Sequence, residues 1–238
     1  MKINSLPFFI LFFSLLGFGQ KSEYSASSIP DSLKQNANAV VRLSKTDIDI
    51  SSQKVMTIKS IHAMTILNEL GLRNLDVSEN YDKNRKIIQI SATAYDAAGK
   101  EIKVYKRKDF RDISVADGSS IFNDNRALYL DYTPVSYPFT MVFETEIQTS
   151  NTAFIPSWSP VDNYLVSTEN TSMAINFKPE LNLKRKEVNF SGKFALDKKE
   201  NSFFCQLFGK KPGCQKKRRI ESGICRYLPG CLFCIGEF

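Results

Sequence analysis

A chain of 238 residues in which 42% are hydrophobic can bury a sizeable core, which excludes a disordered tail and bounds the answer to one or two domains. The formal net charge is +7, but residues 203–238 hold seven basic residues against two acidic ones, so five of those charges lie there and two lie before it. The basic balance therefore gives the folded part no signature of nucleic-acid or anionic-lipid binding.

The chain opens with Met1-Lys2-Ile3-Asn4-Ser5 and runs into an apolar stretch from Leu6 to Phe18, with small residues at Gly17 and Gly19 before Gln20 and Lys21. A charged start, a short apolar centre and small residues ahead of a polar segment describe a secretory signal peptide over 1–19. The run falls short of the about 20 apolar residues that a helical span needs. A membrane anchor is the alternative reading. The mature chain is expected to be exported, periplasmic or secreted, with no stable membrane insertion after signal removal. Residues 20–35, polar and Ser-rich with Ile29-Pro30 inside, read as a flexible lead-in to a domain over 36–200.

From Ala39 the pattern is strand-like: Val40, Val41 and Leu43 precede Asp47-Ile48-Asp49-Ile50 in strict alternation, and a turn follows at Ser51-Ser52. The β-branched content of Lys54 to Leu67 predicts a long strand, ended by Gly71. Leu72 to Val77 reads as further strand and Ser78 to Asn84 as a loop. Arg85 to Tyr105 then predicts a β-hairpin. Ile88, Ile90, Ala92 and Ala94 alternate on its first arm, Ile102 and Val104 repeat the pattern on its second, and Gly99 is free to take positive φ between them. One face of this hairpin is expected to be buried. Ser114 to Asn125 reads as a surface loop.

Two further strands follow. In Ala127 to Tyr132, Leu128, Leu130 and Tyr132 alternate with polar residues; in Phe139 to Ile147, Phe139, Met141, Phe143 and Ile147 point one way while Thr140, Glu144 and Glu146 point to solvent. The prolines of Thr133 to Pro138 exclude a central strand between them. Trp158, the only tryptophan, lies between Pro156 and Pro160 and reads as a plug for the open end of a sandwich core. Met173 to Phe177 and Leu181 to Phe190 alternate again. Many short strands separated by turn residues predict an all-β fold, an antiparallel β-sandwich, with an irregular C-terminal tail over 201–238.

No set of residues marks a catalytic, cofactor-binding or metal site. His62 is the only histidine, so a Cys–His or Ser–His mechanism would have to use it, yet it falls mid-strand and far in sequence from every cysteine. Glu144 and Glu146 sit two apart on one strand face, which alternation on a solvated face explains without acid–base work. All five cysteines, Cys205, Cys214, Cys225, Cys231 and Cys234, fall in the tail. They offer one Cys-x-x-Cys and three irregular extras, short of paired zinc-ligand spacing.

Ala92-Thr93-Ala94-Tyr95-Asp96-Ala97-Ala98-Gly99-Lys100, the charged Asp109-Phe110-Arg111-Asp112, Asp124-Asn125-Arg126 leading into a strand, and Tyr137-Pro138-Phe139-Thr140-Met141-Val142-Phe143-Glu144 resemble one family in order and spacing. It is the bacterial β-sandwich domain of unknown function that sits between a signal peptide and a transglutaminase-like domain in exported proteins. The resemblance covers about residues 36 to 200 and implies a non-catalytic module, whose partner is the transglutaminase-like domain or another exported protein. The Cys-His-Asp core that would carry the chemistry finds no match here, so the resemblance supplies no catalytic residue. The alternative is the inactive remnant of a transglutaminase-like peptidase or amide-transferring enzyme. A third reading takes the tail at face value, as a Cys-rich segment holding disulfides, a metal or anions in an oxidising compartment.

The tail is expected to be out of frame from about Phe203. In one back-translation of Ile220 to Gly230, a one-nucleotide shift removes the cysteines and restores acidic residues resembling the family's connection into the next domain. Sequencing the gene from the Ser191 codon past the stop should reveal a shifted frame encoding Cys, His and Asp at triad spacing. A genuine stop followed by nothing turns attention to the thiols.

Overall fold

The computed structural model describes residues 23–115, 124–159, 163–181, 183–188, 202–208 and 230–235. In chain order a 3-10 turn at Ala26–Ser28 and helix α1 (Asp31–Lys34) precede β1 (Ala39–Ser52) and β2 (Val55–Ile66). A 3-10 segment at Glu69–Asn74 leads to β3 (Ser78–Tyr81), β4 (Arg85–Tyr95) and β5 (Glu101–Lys106). After a 3-10 turn at Arg107–Asp109 come β6 (Arg111–Ser114), β7 (Arg126–Tyr129), β8 (Phe139–Thr149), β9 (Val166–Thr168) and β10 (Asn170–Phe177). A last 3-10 turn at Pro179–Leu181 is followed by β11 (Leu183–Val188), β12 (Ser202–Phe208) and β13 (Gly230–Ile235). The fold is all-β and sandwich-like, as the alternation predicts. Among the described residues no helix is long and apolar enough to cross a membrane.

The main sheet runs β12-β10-β1-β2-β8-β4-β5, with β9 also on β1, and a second sheet runs β3-β7-β6. Most pairs are antiparallel, but β9 and β10 both run parallel to β1. These two parallel pairs sit within an otherwise antiparallel arrangement. Side-chain alternation divides the main sheet into two faces. Its inner face carries Ile48, Ile50, Met56, Ile58, Ile66, Phe139, Met141, Ile147 and Ile175, all nearly inaccessible, and shares one hydrophobic core with Val77, Leu128 and Leu130 of the second sheet and its flanks. Trp158 is buried in that core, and its indole Nε1–H donates to the Thr171 hydroxyl at 3.1 Å. It plugs the sandwich as expected.

The central hairpin forms, with Gly99 at φ 81°, where a side chain would be strained. Its inward residues differ from those expected. Strand β4 slips register against β8 between Ile87 and Gln89, so the bulge turns Ile88 outward at 55% exposure while Ile87 and Ile90 face the core. Ile102 and Val104, expected inside, are 52% and 39% exposed. Val104 pairs with Thr93, on the face opposite Ala92 and Ala94, and β5 is the sheet's edge, where nothing packs over them.

Three loop assignments also change. Leu72 belongs to a 3-10 segment rather than a strand, because Asn68 caps it and Gly71 packs so tightly that a side chain there would run into the Asn38 carbonyl oxygen. Ser78–Tyr81, expected as loop, is β3, paired with β7 and tied down by Arg85. Within the lead-in expected over 20–35, residues 26–28 form a 3-10 turn and 31–34 a short helix, and Ile29 and Leu33 are buried. In the stretch expected to be irregular, Ser202–Phe208 pairs with β10 and Gly230–Ile235 with β11, consistent with the phenylalanines both carry. Most of the surface loop expected at Ser114 to Asn125, and Cys214 and Cys225, lie outside the described residues.

The bulge gives neighbouring isoleucines opposite roles. Ile90→Ala should cost about 2–5 kcal/mol of unfolding free energy, as for buried aliphatic truncations, whereas Ile88→Ala should stay within about 0.5 kcal/mol. Urea denaturation of the two variants checks this, and equal losses would contradict the register.

Candidate interaction surface

The residues weighed for chemistry do not converge. His62 lies mid-β2 on the inner face, with Ser44 of β1 and Phe143 of β8 as its cross-strand neighbours. Glu144 and Glu146 lie one and three residues beyond Phe143 on the outer face of β8, so the sheet itself separates the histidine from both carboxylates. Glu144 accepts from the Ser91 hydroxyl at 3.4 Å, and Glu146 pairs with Lys59 at 3.4 Å. Among the described residues no group of three or more His, Cys, Asp or Glu is placed to hold a metal ion. On the second sheet, the Arg126 guanidinium and the Tyr81 hydroxyl both bond Asp112, at 2.9 and 2.7 Å, and hold its carboxyl below the usual carboxylate range, the Tyr81 bond contributing most. That cluster joins β3, β6 and β7.

The most elaborate polar arrangement is on the outer face, and composition gave no sign of it. Strand β1 carries an extra residue between Val41 and Leu43 relative to β2, and that residue is Arg42. On the other side of β1 the chain breaks between β9 and β10 at Glu169. The two irregularities meet. Glu169 donates its backbone N–H to the Val41 carbonyl at 2.8 Å, and its carboxylate accepts from Arg42 Nε at 2.6 Å. The rest of the guanidinium fork donates to the carbonyls of Ser25 and Glu23 at 3.2 and 2.9 Å, and to the Ser28 hydroxyl at 2.7 Å. Arginine suits this place because its planar fork presents several donors in fixed directions.

Residues 23–37 thereby form a strap across one end of the outer face. Ile29 and Leu33 pack with Val40 and Leu67 in a small cluster separate from the main core. The Thr65 and Thr140 hydroxyls are 2.8 Å apart, and Thr140 donates to the Tyr24 carbonyl at 3.1 Å, so Thr65 must donate to Thr140. Thr140, expected to face solvent, is instead buried beneath the strap. Further along, Ala26 N–H donates to the Ala97 carbonyl, and the Tyr24 and Tyr95 rings lie 4.8 Å apart. Burial pushes both phenols above their ordinary pKa, assisted by Glu23 at Tyr24 and by Glu101 at Tyr95. Beyond the strap the outer face is polar and half-open, with Lys45, Asp49 and Lys59 exposed.

Hydrogen bonds to a charged group contribute about 1.5–3 kcal/mol each when buried, and the Arg42 side chain is only 8% exposed. Arg42→Ala should therefore lower stability by about 2–4 kcal/mol. Arg42→Lys should recover only part of this, since an ammonium cannot reproduce the fork. Chemical denaturation of both variants checks the ordering; full recovery by lysine would contradict it.

No curated protein matches the sequence. Among solved structures, a "putative protease" from Parabacteroides distasonis ATCC 8503 aligns with a TM-score of 0.67 at 10% identity, over 84% of this chain and 40% of that one, which is a likeness of fold. This chain thus spans well under half of that longer protein. Yeast LTA4 hydrolase in complex with bestatin aligns with a TM-score of 0.35 at 8% identity, over 71% of this chain and 26% of that one, too low a score to bear on the fold. Residues 54–202 match the family model DUF3857, a domain of unknown function with a solved structure, and on that match, which takes in β2 to β11, the chain belongs to the DUF3857 family.

Proposed function

We propose that this chain is a non-catalytic, exported β-sandwich module that supports or presents a partner domain, and that the partner is transglutaminase-like. One observation carries the reading: the same fold makes up 40% of a longer chain described as a "putative protease". That likeness supports a reading in which the fold works in company with other structure. The inner face also favours a scaffold, because the sheet that buries the core holds His62 apart from Glu144 and Glu146 and assembles no acid–base pair from them. A peptidase or transferase needs a nucleophile, a base and an orienting group within hydrogen-bond reach, and here those roles would fall to the partner.

The likeness to a longer protein described as a protease also supports the second reading, in which the chain is the inactive remnant of a peptidase or amide-transferring enzyme. The two agree that chemistry belongs to another domain and differ in whether this chain still engages it. Isothermal titration of the chain with a separately produced transglutaminase-like domain from the same genome should give micromolar or tighter association, about −8 kcal/mol or more. The chain alone should hydrolyse casein no faster than buffer. Casein turnover that disappears in His62→Ala would contradict the module reading, and absence of association would leave the remnant.

A further inference from the structure

The strap raises a question that the module reading does not answer. It buries apolar side chains against the sheet, yet it forms its own small cluster of Ile29, Leu33, Val40 and Leu67 apart from the main core. A segment with its own satellite cluster can open without unfolding the sheet beneath it. What lies under it is a shaped surface. Thr140, itself bonded by Thr65, supplies a backbone-directed hydroxyl, Tyr95 an aromatic platform, Val40 and Leu67 an apolar seat, and Arg42 a fork that donates to two carbonyls and a hydroxyl. Each of these features fits a peptide. The bound strap defines the occupant: a tyrosine, serines that turn, a proline, and apolar side chains four residues apart at Ile29 and Leu33.

The root of the strap is also strained. Asn36, between α1 and β1, adopts φ 60°, and Leu165, whose carbonyl accepts from the Asn38 N–H at 2.7 Å, adopts φ 61°. Asparagine tolerates the left-handed region, but for a bulky residue such as leucine it is a genuine outlier. The strap thus turns back onto its own sheet through the left-handed Asn36, two residues before Asn38, whose N–H donates to the left-handed Leu165. Short hinges under strain invite exchange of the segment they carry. Exchange costs little because each contact made with a neighbour's sheet is one already made within the chain.

We propose that residues 23–37 are an exchangeable arm seated in a peptide-docking groove on the outer face, and that the groove's other occupant is the same arm of a second copy. Two copies trading arms form a dimer in which Arg42 of each holds Glu23, Ser25 and Ser28 of the other. The hinge at Asn36 then extends.

The test uses the full chain and a fluorescein-labelled synthetic peptide of residues 23–37, followed by fluorescence anisotropy. Asn36→Pro fixes φ near −65° and forbids the closed hinge. It should bind the peptide about tenfold more tightly than the wild type, since closing against an incompatible φ costs more than the usual backbone increment. Adding Arg42→Ala to that variant should abolish uptake. Sedimentation at rising concentration supplies the second measurement: the wild type should show dimers, and Asn36→Gly, which closes without strain, should shift them toward monomer. Far-UV circular dichroism establishes that each variant is folded. A folded Asn36→Pro chain that binds no better than wild type overturns the proposal, as does uptake that survives Arg42→Ala. If Asn36→Pro does not fold, a wild type that remains monomeric throughout overturns it.

Discussion

The pairing of Arg42 with Glu169 holds together two flaws in an otherwise regular sheet. An extra residue in β1 and a break between β9 and β10 would each leave the ladder irregular at the same level of the sheet. Here the two meet, and one ion pair at 2.6 Å closes the gap. The bulge does more than absorb a residue. It places the guanidinium where its remaining donors reach Glu23, Ser25 and Ser28, so a defect in β1 becomes the anchor for the start of the fold. Removing either partner would strand a charge in a place where water cannot fully replace the lost bonds.

From that anchor the two faces of the main sheet take different characters. The inner face carries most of the buried apolar side chains of the sheet and joins the second sheet and Trp158 in one core. The outer face is covered by the strap at one end and is wet at the other, where Lys59 and Glu146 pair across β2 and β8. The division also explains why no chemistry assembles from the residues that looked most capable of it. His62 and Glu144 are near in the sheet but project to opposite sides of it. That separation accords with the supporting role proposed for the chain.

Alternation made the long strands readable. Ile48 and Ile50, Phe139 and Met141, and Leu128 and Leu130 all bury where period-two reasoning places them. It failed where the period itself breaks. The bulge after Ile87 shifts the phase by one residue, so Ile88 turns outward, and nothing in Arg-Lys-Ile-Ile-Gln distinguishes which isoleucine will be expelled. Edge position is equally invisible locally: Ile102 and Val104 have the composition of core residues, but only the strand order shows that nothing covers them. The strap was missed for another reason. Its Ser-rich composition matches a linker, and few apolar side chains fix it; much of its hold comes from main-chain groups, the Ser28 hydroxyl and the Tyr24 ring, which no side-chain periodicity reveals. Asn68 and Gly71 mark a cap and a close approach that become legible once Asn38 is known to lie against them.

Native-state hydrogen exchange resolved along the chain tests the central claim that one buried arginine fastens a separable strap to an independently stable sheet. The amides of Ile29, Leu33 and Gln35, all bonded within the strap, should share one opening free energy lower than that of β1, β2 and β8. In Arg42→Ala the strap amides should exchange at or near the unprotected rate while those in the centre of β2 and β8 retain protection. Loss of protection in the strap and the sheet together, at a single free energy in both proteins, would contradict the account and make the strap an inseparable part of the core.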